Sequence, residues 1–182
     1  MTMAIGSPSG LLPKTTRAAV WAMGLGSALF ATMAVLVGLG ATGGFDLPIM
    51  AAAPGLHGGV GDAIAVVVSR GLGFAGLTGA TVVLGAGLLL RGRRGDAVMV
   101  GAAMLVGLVL MWAIKAAYAR ARPEVFPWVD PAAGWSFPSG HAFLNAAFWL
   151  LLAVVVRRPW AWALGIAMML IAGAFRVVAG VH

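Results

Sequence analysis

Long apolar runs separated by short polar or basic intervals make up most of this chain. Five runs, at about Ala18–Ala41, Gly71–Leu90, Ala97–Ile114, Ala142–Val156 and Pro159–Phe175, compete for a place in lipid. A hydrocarbon core of roughly 30 Å takes about 20 helical residues at about 1.5 Å each. The fourth run is the shortest. Starting its helix at Ser139 and letting Arg157 and Arg158 snorkel brings it to adequate length. Runs of this length predict an all-α, polytopic transmembrane helical bundle.

The first run follows Lys14 and Arg17, as in a signal peptide. It is longer than an ordinary signal core and no clear cleavage site follows, so an uncleaved anchor is expected. This divides the chain into a cytoplasmic tail over residues 1–17 and a membrane-embedded domain over residues 18–182. Between the first two runs, residues 46–69 mix Pro48, Pro54 and several glycines with the stretch Ala63–Val68, which predicts a short interfacial helix leading into the second span. Gly24, Gly26, Gly38, Gly40, Gly71, Gly73, Gly76 and Gly79 read as sites of close helix approach in lipid. Trp21, Trp112, Trp160 and Trp162 lie near run ends and read as interfacial anchors.

Basic residues orient the bundle. Lys14 and Arg17, then Arg91, Arg93 and Arg94, then Arg157 and Arg158 fall in alternate intervals, which the positive-inside rule assigns to the cytoplasm. Residues 42–70 and 115–138 are then outside. The second of these loops carries Lys115, Arg120 and Arg122 against the trend, which asks for a functional explanation.

Composition supports the membrane reading. Of 182 residues, 62% are hydrophobic and 9% charged, and the mean hydropathy is +1.00, far above a soluble domain. The absence of cysteine removes disulfides, thiolate nucleophiles and cysteine-based metal centres. A net charge of +7 would suit a nucleic-acid binder, but the cations sit between apolar runs and not along one soluble face, so topology and anionic headgroups are the better use.

The polar residues able to do chemistry form three clusters. The first is Lys115-Ala-Ala-Tyr-Ala-Arg-Ala-Arg122-Pro123, in which a seven-residue spacing returns Lys115 and Arg122 to one helical face before Pro123 ends or bends the helix. The second is Phe137-Pro138-Ser139-Gly140-His141, with Ser139 placed to cap the fourth span and to turn its free amides and dipole outward, where phosphate binds readily. The third is Arg176-Val-Val-Ala-Gly-Val-His182, in which a break at Gly180 would return His182 toward Arg176. Fixed cations, a helix N-terminus and two histidines suit in-line phosphoryl transfer. Asp46, Asp62, Glu124 and Asp130 are scattered and expected to be solvated, so no metal ion and no cofactor is implied.

Lys-x6-Arg-Pro, Pro-Ser-Gly-His and Arg-x5-His in this order resemble the type-2 phosphatidic acid phosphatase superfamily. The resemblance covers Lys115 to His182. It implies a six-helix membrane fold, of which five spans are present here, and a phosphatase acting on lipid phosphates or diphosphates. The candidate substrates are undecaprenyl diphosphate, phosphatidylglycerophosphate and phosphatidic acid, with undecaprenyl diphosphate the best single choice. It further implies that His182 is the nucleophile and forms a phosphohistidine, that His141 is the general acid, and that Lys115, Arg122, Ser139, Gly140 and Arg176 hold phosphate. The expected setting is a bacterial inner membrane with the site facing the periplasm or exterior.

Two departures stand out. Phe175 occupies the place where the family usually has a serine. The family also continues past the position of His182 to an aspartate and a sixth span, so a chain truncated at its C-terminus is expected. A non-catalytic protein that binds anionic lipid headgroups through the same cations is the alternative. A phosphate-selective pore is disfavoured, because no span carries a ladder of polar residues.

Overall fold

The structure, a computed structural model, describes residues 14–44, 46, 48, 59–122 and 134–178; for residues 14–23, 60, 61, 65, 177 and 178 it describes the backbone alone. Its elements are helices: α1 (Lys14–Gly38), α2 (Val60–Gly71), α3 (Phe74–Leu90), α4 (Arg94–Tyr118), α5 (Gly140–Val156) and α6 (Pro159–Val178). The chain divides into two compact units, Met1–Gly44 and Phe45–His182.

The first unit holds α1, which covers most of the first apolar run. Beyond its end the chain closes with Leu39 N–H on Val35 O (2.9 Å) and Ala41 N–H on Leu36 O (2.9 Å). Within α1 the Thr32 hydroxyl donates to Ala28 O (2.9 Å). That bond satisfies a polar group on its own helix.

The second unit is a bundle of the other five helices. Packing is most extensive between α5 and α6, then between α3 and α4 and between α4 and α5, while α2 lies against both α6 and α3. Leu77, Met111, Leu144 and Phe148 form the central cluster, and Leu88, Val100 and Val155 a second one toward the far end. The outer faces carry exposed large apolar side chains such as Val82, Val83, Leu90, Leu105 and Ile166, as expected where lipid is the solvent. With lipid tails as apolar as the side chains, close van der Waals contact between helices carries the packing. Gly165 shows this: a Cβ there would stand 3.4 Å from the Cβ and carbonyl oxygen of Trp149 on α5.

Two helices, Arg94–Tyr118 and Pro159–Arg176, are long and apolar enough to cross a membrane. The pair Asp62–Gly71 and Phe74–Leu90 passes the same test together, bent by 45° at its break. Among the described residues, Gly140–Val156 and the part Gly24–Gly38 of α1 are shorter apolar helices.

The expected interfacial helix corresponds to α2, and it is one arm of a broken helix. The second span begins at Phe74, not at Gly71. The break is dictated by backbone crowding. A Cβ on Gly76 would lie 1.9 Å from Gly71 O, so only glycine lets α3 start this close to the end of α2. At the far end, Gly92 (φ 73°) follows α3, with Gly92 N–H on Leu89 O (2.9 Å) and Arg93 N–H on Leu88 O (2.8 Å), the paired bonds of a glycine-terminated helix. Arg93 then donates to Asp96 (2.6 Å) and to Val155 O (2.9 Å), tying the start of α4 to the end of α5.

Gly76→Ala is expected to cost about 1–3 kcal/mol by forced overpacking and to lower the thermal unfolding midpoint in detergent. Gly79→Ala, whose Cβ would meet nothing within 4 Å, is expected to leave it unchanged or slightly raised. Equal midpoints for the two variants would contradict the crowding argument.

Candidate functional site

The C-terminal ends of α2, α4 and α6 and the N-terminal end of α5 meet at one end of the bundle, and the polar residues singled out in the sequence gather there. Each is delivered by a local feature of the chain.

Lys115 lies in the last turn of α4 and is 5% exposed. The helix does not continue to Pro123 as the sequence reading expected. It stops at Tyr118, and Ala119 takes a left-handed conformation (φ 44°) with its N–H on Lys115 O. Arg122 therefore does not share a helical face with Lys115. The two cations converge by another route: Lys115 Nζ donates to Trp135 O (2.6 Å), and Arg122 donates through Nη2 to Trp135 O (3.2 Å) and through Nε to Gly134 O (2.9 Å).

The segment leading into α5 is held beside the end of α4. Ser136 N–H donates to Arg120 O (2.8 Å), and the buried Ser136 hydroxyl donates to Ala121 O (2.9 Å). The Tyr118 and Phe137 rings stack at a tilt with centroids 5.1 Å apart. This pairing carries the Trp135 carbonyl to the two cations. Arg122 is withdrawn from water enough that its acidity rises above that of a free guanidinium; the group still stays cationic throughout the physiological range.

Ser139 caps α5 as expected, with backbone in the extended region and its hydroxyl accepting from Ala142 N–H (3.4 Å). Gly140 follows at the first helical position. A Cβ there would stand 3.1 Å from Met111 Sδ and 3.9 Å from Lys115 Cε, so the α5 N-terminus lies directly against Lys115. His141 is next, and its Nε2 donates to Ser69 O (2.8 Å). A carbonyl oxygen can only accept, so this contact puts a proton on Nε2.

Arg176, 3% exposed in the last turns of α6, donates through Nη1 to the Ser69 hydroxyl (2.7 Å). The structure thus brings Lys115, Arg122, Ser139, Gly140, His141 and Arg176 to one place. Gly180 and His182, with Pro123, Glu124 and Asp130, lie outside the described residues. Among the described residues no three histidine, aspartate or glutamate side chains group as a metal site would require.

Sequence reasoning missed three participants. Ser69, 2% exposed, contacts both His141 and Arg176. Asn145 is fully buried, one turn beyond His141; its amide donates to Leu72 O (2.8 Å) and His141 O (2.8 Å) and accepts from Trp149 Nε1 (3.1 Å). Gly73 leaves room for the imidazole, since a Cβ there would lie 3.1 Å from His141 Nε2 and 2.8 Å from Ser69 O. The available signal was a small polar residue inside or beside an apolar run, where polar groups need partners. Asp46 corrects another expectation: it is ion-paired with Arg120 at 2.6 Å and not simply solvated.

Residues 96–182 match the family model of the PAP2 superfamily. That match spans just under half of the chain. All three motifs fall inside the matched region. No curated protein matches the chain. Among solved structures, a transmembrane PAP2-type phosphatidylglycerolphosphate phosphatase from Bacillus subtilis aligns with a TM-score of 0.77 and 20% identity, covering 85% of this chain and 81% of that one. At that identity the likeness is one of fold. It joins this helical bundle to a membrane-embedded PAP2 architecture.

Replacing Asn145 by leucine removes the donor to the Leu72 carbonyl and should cost about 1–3 kcal/mol, the usual penalty for a buried polar group left unpaired. A thermal unfolding midpoint within a degree of wild type would show that the break does not depend on this amide.

Proposed function

We propose that this protein removes phosphate from lipid phosphates or diphosphates by way of a phosphohistidine, without a metal ion, at the extracytoplasmic face of a bacterial inner membrane. The observation that carries this reading is the convergence of Lys115, Arg122, Arg176 and the capped N-terminus of α5 around His141. Three cations and a helix N-terminus offer fixed positive potential to an anion. Fixed donors also match the charge that grows on equatorial oxygens during phosphoryl transfer, with no reorganisation at the moment of reaction.

On this reading Lys115, Arg122, Arg176, the Ser139 hydroxyl and the Gly140 amide hold the phosphate oxygens. His182, assigned through the family resemblance, attacks phosphorus as the neutral imidazole. A P–N bond forms, the P–O bond to the leaving group breaks, and His141 gives that oxygen a proton. Water then attacks the phosphohistidine, phosphate leaves, and both histidines return to their starting protonation states. Undecaprenyl diphosphate, phosphatidylglycerophosphate and phosphatidic acid are the substrates to try, the second because the Bacillus subtilis protein of similar fold is named for it. The orientation follows from the basic clusters at Arg91–Arg94 and Arg157–Arg158, at the other end of the bundle from the site.

The test is release of inorganic phosphate from these lipids by purified protein in the presence of a chelator. Wild type is expected to turn over with chelator present. His141→Ala should lower kcat by about 10²–10⁴-fold, the usual worth of a positioned acid, and His182→Ala should abolish the phosphoenzyme. Unchanged turnover in both variants would refute the mechanism. Saturable lipid-phosphate binding with no turnover would favour the alternative, a non-catalytic protein that binds anionic headgroups.

A further inference from the structure

Ser69 lies in none of the three motifs, yet it touches two of the groups they supply. It sits in the last turn of α2, 2% exposed, with its hydroxyl 2.7 Å from Arg176 Nη1 on α6 and its carbonyl oxygen 2.8 Å from His141 Nε2 on α5. One residue on a third helix thus joins the cation from one helix to the histidine from another. Its carbonyl belongs to the last turn of α2, where oxygens lack an intrahelical partner. On either side of it, Val68 O and Arg70 O are taken by Leu72 N–H (2.8 Å) and Gly73 N–H (3.2 Å), so the Ser69 carbonyl is the one in this turn that faces His141.

We propose that Ser69 is a positioning residue of the phosphate site, its hydroxyl setting Arg176 and its carbonyl setting His141. This rests on the proposed roles of those two residues. An arginine has a long chain with much rotamer freedom to lose when it clamps a phosphate. A buried hydroxyl that fixes the guanidinium moves that loss from substrate binding to folding, and so strengthens binding. A carbonyl acceptor on Nε2 serves both the neutral ring and the imidazolium. The ring therefore keeps one orientation while the other nitrogen, Nδ1, gives or takes a proton.

The side-chain half of the proposal is tested with Ser69→Ala and Ser69→Thr, each made in wild type and in Arg176→Lys. Three constants are read on purified protein in detergent: the Kd for inorganic phosphate, and KM and kcat on a lipid phosphate. Ser69→Ala is expected to raise Kd and KM about tenfold, the worth of one hydrogen bond to a charged group, with a smaller change in kcat. Ser69→Thr, which keeps the hydroxyl, should restore both. In the Arg176→Lys background Ser69→Ala should add little, because the two residues act through one contact.

Values within about twofold of wild type for Ser69→Ala, or an effect of equal size in the Arg176→Lys background, would overturn the proposal. Should the alanine variant fail to fold, Ser69→Cys, similar in volume and a poor acceptor, gives the same reading. Phosphate binding without lipid turnover would sink the phosphatase reading, and the Kd comparison would still decide the role of Ser69. If wild type neither binds phosphate nor turns over, Arg176 is not a phosphate ligand and both ideas fall.

Discussion

A helix that breaks inside an apolar bundle exposes carbonyl oxygens that lipid cannot satisfy, and every one of them has to find a donor. The break between α2 and α3 imposes that constraint here, and the candidate site is largely its solution. Backbone N–H groups of Leu72 and Gly73 take two of the oxygens. Side chains of α5 take two more: His141 reaches Ser69 O and Asn145 reaches Leu72 O. The same contacts that satisfy the backbone aim the histidine, so a single set of hydrogen bonds holds the fold and, on the proposed reading, shapes the chemistry. Gly76 makes the arrangement possible by letting the two arms approach without a side chain between them.

The other half of the site obeys a different rule. Lys115 and Arg122 come from the end of a helix and from the segment after it, and what unites them is the stretch before α5. That stretch is bound to residues 120 and 121 through Ser136. Its carbonyls at Gly134 and Trp135 then draw the two cations together. Met111 and Gly140 connect the halves, because the absence of a side chain at Gly140 lets α5 start against α4.

The fold was readable wherever one property decided it. Apolar run length located α3 to α6 to within a few residues, and a serine ahead of an apolar run announced the α5 cap. The spacing of Lys115 and Arg122 was informative about proximity and misleading about cause. Helical periodicity assumes that the helix goes on, whereas Ala119 adopts a left-handed conformation that no alanine advertises in advance. Ser69, the reach of Asn145 to Leu72 and the Asp46–Arg120 pair were not legible, since these contacts join positions roughly seventy or more residues apart in sequence and no periodicity connects such positions. A serine at the edge of a valine run looks like any helix-end residue until the fold supplies its neighbours.

The carbonyls at Gly134 and Trp135 have one more consequence. They are dipoles that take part of the donor capacity of two cations, so those cations face their mutual repulsion partly neutralised. On the proposed reading, a phosphate entering the site does not fill a bare positive hole. An ammonium carries three donors and a guanidinium five, so phosphate and backbone oxygens can share the same two side chains. The carbonyls then hold both cationic heads in place while the anion comes and goes.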